Sequence, residues 1–123
     1  MGSNPANLVF RFLLEIAAYG AIGFWGWQQA ENILLKIALA IGLPVMAAVL
    51  WGTFAVPDDP SRSGKAPVAV PGILRLIMEL AFFAFAIWAL YNGGYTGLSW
   101  ALGILVAIHY VASYDRILWL LRQ

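Results

Sequence analysis

Cysteine is missing from this 123-residue chain altogether, which excludes disulfides, thiolate chemistry and iron–sulfur ligation. Charge is nearly as scarce. Seven Lys and Arg and six Asp and Glu make up 11% of the residues, against about 25% in an ordinary soluble domain. So few charges cannot cover the wet surface of a protein this small. That excludes a soluble enzyme, a disordered segment and a nucleic-acid binder working through a basic face. A formal net charge of +1 supplies no steering field. Histidine occurs once, at His109. No nucleophile elbow, HExxH helix, phosphate-binding glycine loop or metal-ligand cluster is found, so neither an enzyme nor a bound cofactor or metal is expected. No Asn stands in a glycosylation sequon.

What is there is apolar: 63% hydrophobic residues and a mean hydropathy of +0.82. The surplus gathers in four runs, about residues 8–28, 33–56, 72–91 and 98–121. Each matches the roughly 20 residues that carry a helix across about 30 Å of hydrocarbon. None alternates as a barrel strand would. Backbone groups in lipid must be satisfied within the segment, so the runs are read as transmembrane helices. The expected fold is all-α: a four-helix transmembrane bundle in a single integral membrane domain over residues 1–123.

The connections support two tandem hairpins. Gln29 to Asn32 is a short polar turn, and Asn92-Gly93-Gly94 serves the second pair. Between them, residues 57–71 begin Pro57-Asp58-Asp59-Pro60-Ser61-Arg62-Ser63-Gly64-Lys65, rich in Pro, Ser and charge, and read as a loop outside the membrane. The first apolar run is longer than a signal-peptide core and lacks a cleavage site after it, so a cleaved leader is not expected. Met1-Gly2 opens a myristoylation motif, but Ala6 stands where Ser or Thr is wanted. Arg11, Arg62, Lys65, Arg75, Arg116 and Arg122 fall on the side of the termini and central loop; Lys36 alone lies toward the other. The positive-inside rule then places both termini in the cytoplasm of a multi-pass inner-membrane protein.

An internal repeat is also expected. Arg11-Phe12-Leu13-Leu14-Glu15 resembles Arg75-Leu76-Ile77-Met78-Glu79 at an offset of 64 residues, about half the chain. Each half is one hairpin, so this would be a parallel pseudo-repeat.

The Arg-x3-Glu pairs are the most informative polar feature. Spacing i,i+4 sets both side chains on one helix face. Arg11 and Arg75 can snorkel to headgroups. Glu15 and Glu79 lie about 10 Å inside. A charge there costs roughly 2.5–3.5 kcal/mol on insertion scales, so it is expected to face the interior and be paired. Asp115, six residues before the inner end of the last helix, falls at a similar depth. Arg11, Glu15, Arg75, Glu79, Asp115 and Arg116 are therefore expected to form one buried polar layer. It could bind a polar solute or relay protons, or it could only lock the helices together.

His109 sits mid-helix with Ser113 and Arg116 on the same face. Proton relay and haem ligation are weighed against a neutral core histidine, which is preferred, since one histidine cannot make a bis-His haem. Pro44 is read as a kink or hinge that frees the carbonyl of Ala40. Ala38/Gly42, Gly103/Ala107 and the pair Gly23 and Gly26 are read as small faces for close helix packing, with a homodimer seam as the alternative.

Several stretches together resemble the YrdB-like family of small bacterial membrane proteins, catalogued as a domain of unknown function. These are Arg11-Phe12-Leu13-Leu14-Glu15 leading to Trp25-Gly26-Trp27; Pro44 to Ala47-Ala48; Trp51-Gly52-Thr53-Phe54 with Pro57; and Arg75 to Leu80. The resemblance implies a four-helix inner-membrane protein and carries no activity with it. Two functions follow as expectations. The first is transport or binding of a small solute, ion or proton through the buried layer, with the protein as a homo-oligomer. The alternative is a structural or assembly subunit binding lipid or a partner membrane protein.

Overall fold

The computed structural model describes residues 4–59 and 66–123. The Met1-Gly2 motif and the basic loop residues Arg62 and Lys65 lie outside the described residues. The fold is almost wholly helical: α1 (Pro5–Gln28), α2 (Ile33–Thr53), α3 (Gly72–Asn92), α4 (Thr96–Ala112) and α5 (Tyr114–Leu121). Two strands of two residues each, β1 (Phe54–Ala55) and β2 (Val68–Ala69), pair in parallel with Phe54 opposite Val68. The helical run of residues 33–56 therefore stops at Thr53, because Phe54 and Ala55 exchange helix bonds for strand bonds.

Local chemistry explains the helix ends. Asn4 caps α1 by accepting from the Ala6 N–H at 2.9 Å, with Pro5 at the first helical position. Asn32 caps α2 through the Leu34 N–H at 2.8 Å. At the end of α3, Gly94 has φ +93°, and the Tyr95 N–H reaches the Leu90 carbonyl at 2.8 Å. This is a Schellman ending, and glycine supplies its left-handed residue without strain. The tips of the hairpins are tied by the Trp25 indole donating to Asn92 Oδ1 at 3.1 Å.

α1 is the hub, packing on α2, α3 and α4, while α5 folds back onto α3. The core lies along α1, α3 and α4 and includes Leu14, Ala18, Phe83, Ala86, Leu102 and Val106. None of α2 is buried, although it is the most apolar helix. Leu34 is 76% exposed and Met46 61%. Hydrophobic residues also line the outside of every other helix, an arrangement favourable in lipid and costly in water. Among the described residues, three helices are long and apolar enough to cross a membrane, and a fourth span is added if α4 and α5 count as one bent pair.

The largest departure from the sequence reading is at the C-terminal end. The single helix expected over 98–121 breaks at Ser113, and α5 bends away from α4 by 69°. The bend has two anchors. Ser113 Oγ is held by Asn7 Nδ2 at 2.6 Å. Leu120 lies so close to Gly72 that a β-carbon there would overlap the Leu120 carbonyl. Glycines 23 and 26 seat α2 against α1: a β-carbon on Gly23 would meet the Ala40 carbonyl oxygen at 2.9 Å and Pro44 Cγ at 3.2 Å. The carbonyl that Pro44 frees thus faces Gly23. Ala38 and Gly42, by contrast, point outward; a β-carbon on Gly42 would meet nothing within 4 Å.

Candidate functional site: a closed arginine–carboxylate cluster

Where α1, α3 and α5 converge, Glu79 is fully buried and Arg11, Arg75 and Arg116 close around it. Arg75 Nε donates to Glu79 Oε2 at 2.8 Å, one helical turn away on α3. Arg116 approaches from α5 with a two-pronged grip, Nη1 to Oε1 at 2.8 Å and Nη2 to Oε2 at 2.7 Å. Arg11 Nη2 arrives from α1 at 3.0 Å. The Tyr110 hydroxyl adds a bond to Oε1 at 2.8 Å. One carboxylate thus joins four helices' worth of donors: charge-assisted bonds of this kind are about twice as strong as neutral ones.

A second carboxylate completes the cluster, and it is not the one expected from the sequence. Asp115 is exposed in the first turn of α5 and lies outside the buried layer. The bend at Ser113 is the reason: it swings Arg116 inward and leaves its neighbour outside. Asp59 takes the place instead. Pro57 and Asp58 form a turn with Asp58 at φ +65° and the Asp59 N–H on the Val56 carbonyl. The turn returns Asp59 to the interior, where it accepts from Arg116 Nε at 3.0 Å and Nη2 at 2.6 Å. The start of the loop, read as lying outside the membrane, is thus packed into the protein's interior at Asp59. Its signal was in the sequence: Pro-Asp-Asp favours a turn with a left-handed Asp.

Arg75 also closes the end of α2. Its Nη1 donates to the carbonyls of Trp51 and Phe54, both at 2.6 Å. A cation there satisfies terminal carbonyls and meets the negative end of the helix. The Trp51 ring lies under two guanidiniums, 5.3 Å from Arg11 Cζ and 4.5 Å from Arg75 Cζ. Glu15 is the outlying member, touching Arg11 Nε at 3.4 Å and 17% exposed. Three guanidiniums thus face three carboxylates, those of Glu15, Glu79 and Asp59.

His109 lies beside this cluster, buried on α4. Its Nδ1 is 3.1 Å from Asn7 Oδ1, and Phe10 presents an edge to its ring at 5.7 Å. Ser113 shares its face and meets the same Asn7, while Arg116 leaves that face at the helix break. Asn7, Tyr110 and Asp59 are the members that sequence reasoning missed. Asn7 precedes Arg11 by one turn, the only hint it gave. Two buried side-chain nitrogens among the described residues have no hydrogen-bond partner: Arg11 Nη1 and His109 Nε2. Pro44 stands apart from the cluster, inside α2. No group of residues suited to holding a metal occurs among the described residues.

A family model described as "Protein of unknown function (DUF2568)" matches residues 9–107. The chain is also 43% identical over 120 residues to "Uncharacterized protein YrdB" of Bacillus subtilis (strain 168), covering 98% of this chain and 97% of that protein. No solved structure matches.

Proposed function

The chain belongs to the DUF2568 family of proteins of unknown function, and on that footing we propose that it is a four-span inner-membrane protein acting as a structural or assembly subunit. It binds lipid or a partner membrane protein, performs no catalysis, and keeps both termini in the cytoplasm. Its two hairpins are read as tandem copies, since α1 and α3 each carry an Arg/Glu pair one turn apart.

One observation carries this reading in preference to transport. Glu79, at the centre of the charged cluster, has no exposed surface and is held by three arginines and a tyrosine. A carboxylate that carries a solute or proton must be reached from water and must exchange partners. This one is enclosed and saturated, which suits a lock between helices.

The test is flux in proteoliposomes. Proton and small-ion leak with the wild-type protein is expected to equal that of the Glu15→Gln/Glu79→Gln double variant and of protein-free vesicles. A wild-type flux above leak, lost in the variant, would restore the transport reading. Membrane embedding is checked separately: the chain is expected to stay in the membrane pellet through an alkaline carbonate wash.

A further inference from the structure

α4 is 17 residues long, about 25 Å, at the short end of what crosses a bilayer. It packs on α3 and α1, and α5 leaves it at 69°. With α4 near the membrane normal, α5 lies within roughly 20° of the membrane plane. No proline or glycine stands at the break, so tertiary contacts hold the angle.

The same contacts fix the level of α5. Leu120 abuts Gly72, the first residue of α3. Arg116 pairs with Asp59, just past the end of α2. Ser113, at the bend, is held by Asn7 in the first turn of α1. α5 therefore crosses the bundle where α1 begins, α2 ends and α3 begins. In a bundle of spanning helices that level is one edge of the hydrocarbon.

Around its own axis α5 has three sides. Arg116 and Leu120 are buried against the protein. Tyr114, Leu118 and Leu121 are 62%, 49% and 53% exposed. Their spacing i, i+4, i+7 gathers them into one apolar stripe about 60° wide. Asp115 and Arg122 are exposed on the third side, next to that stripe. Water around the whole helix would wet the stripe, and hydrocarbon around it would immerse the two charged residues. A helix lying along the boundary gives each side its own solvent.

We propose that α5 is an interfacial helix docked on the cytoplasmic lipid surface. Tyr114, Leu118 and Leu121 enter the boundary between headgroups and acyl chains, and Asp115 and Arg122 stay among the headgroups. A tyrosine suits that level, with its ring in the apolar layer and its hydroxyl in the wet one. α4 alone then makes the fourth crossing. This assigns a lipid contact to the lipid-binding subunit proposed above and rests on its four-span reading.

Nitroxide depth measurements on the full-length chain test it, in vesicles of phosphatidylethanolamine and phosphatidylglycerol. The chain has no cysteine, so Tyr114→Cys, Leu118→Cys and Leu121→Cys each carry one label. Ile104→Cys and Val111→Cys, on the outward face of α4, serve as the ruler. Collision with oxygen, set against collision with a water-soluble nickel chelate, reads the depth of each label. The three α5 labels are expected about 5–10 Å inside the headgroup boundary, at depths within about 5 Å of one another. Labels at 104 and 111 are expected to differ by about 10 Å, the rise of seven helical residues along the normal. A step of that size between 114 and 121 would mean that α5 continues the crossing, and would overturn the proposal. So would strong nickel contact at all three α5 sites, which would put the stripe in water. Exclusion of both reagents there would place a second copy on the stripe and overturn it equally. A flat profile along α4 would remove the four-span reading and this one with it, whereas a failure at α5 alone leaves the spans standing. Every substituted side chain is exposed, so the labels displace no packed atoms, and any two of the α5 sites give the slope of the helix.

Discussion

Among single residues, Glu79 carries the most interactions, and its neutralisation gives the sharpest test of the lock. Glu79→Gln keeps the shape but turns one acceptor into a donor facing guanidiniums. Breaking a buried ion pair by removing one partner costs about 3–5 kcal/mol. The variant is expected to lose stability on that scale, read as a lower thermal midpoint in detergent. Glu15→Gln weakens a single ion pair at 3.4 Å on a carboxylate that is 17% exposed, and is expected to cost less, about 1 kcal/mol. Equal losses would mean that Glu15 shares the load. Arg116→Lys separates fork geometry from charge: lysine keeps the cation but cannot grip Glu79 and Asp59 with two prongs each. A loss of about 2 kcal/mol or more is expected, on the same readout. The sequence made Arg11, Glu15, Arg75 and Glu79 legible because i,i+4 spacing depends only on helix geometry. Asp59 was illegible in its role, because its pairing with Arg116 spans 57 positions and needs a bend that no proline or glycine marks.

At the scale of elements, that bend depends on close contact between α5 and the start of α3. Gly72 leaves no room for a methyl group, and what it faces is Leu120 backbone, which cannot rotate away. Gly72→Ala is expected to lift α5 off α3, pull Arg116 from Glu79 and lower the thermal midpoint as much as Glu79→Gln does. Gly42→Ala is the matched control. Its β-carbon enters open space, and removing a helix-interior glycine gains up to about 1 kcal/mol. It is expected to raise the midpoint or leave it unchanged; a fall would mean that Gly42 packs against a second copy. The contacts within the chain also separate small residues that the sequence treats together. Gly23 and Gly26 meet the backbone of α2, yet Ala38 and Gly42 look outward, although all four read alike in sequence. Small size licenses close approach but does not name the neighbour.

For the whole molecule, hydropathy gives helix lengths but not their arrangement. Hydrocarbon thickness sets the length of a crossing helix, so the apolar runs are visible in sequence. Lipid tails are as apolar as a neighbouring helix, so the same runs do not reveal that α2 lies at the edge while α1 sits at the centre. Orientation depends on the few cations, and the absence of cysteine makes it directly measurable. Single substitutions Lys36→Cys and Gln123→Cys give one thiol each with no background. Lys36 begins α2 near the hairpin tip, its ammonium 4.7 Å over the Trp27 ring, and Gln123 ends the chain beyond α5. The positive-inside rule places these positions on opposite sides. In intact bacterial cells expressing each variant, a membrane-impermeant maleimide is expected to label the thiol at 36. The thiol at 123 is expected to react only after lysis. The reverse pattern would invert the topology, and equal labelling would mean that the number of crossings between Lys36 and the C-terminus is even. In that case the bent α4–α5 pair dips into the bilayer and returns instead of crossing it, because α2 and α3 alone make two crossings and leave both ends on one side.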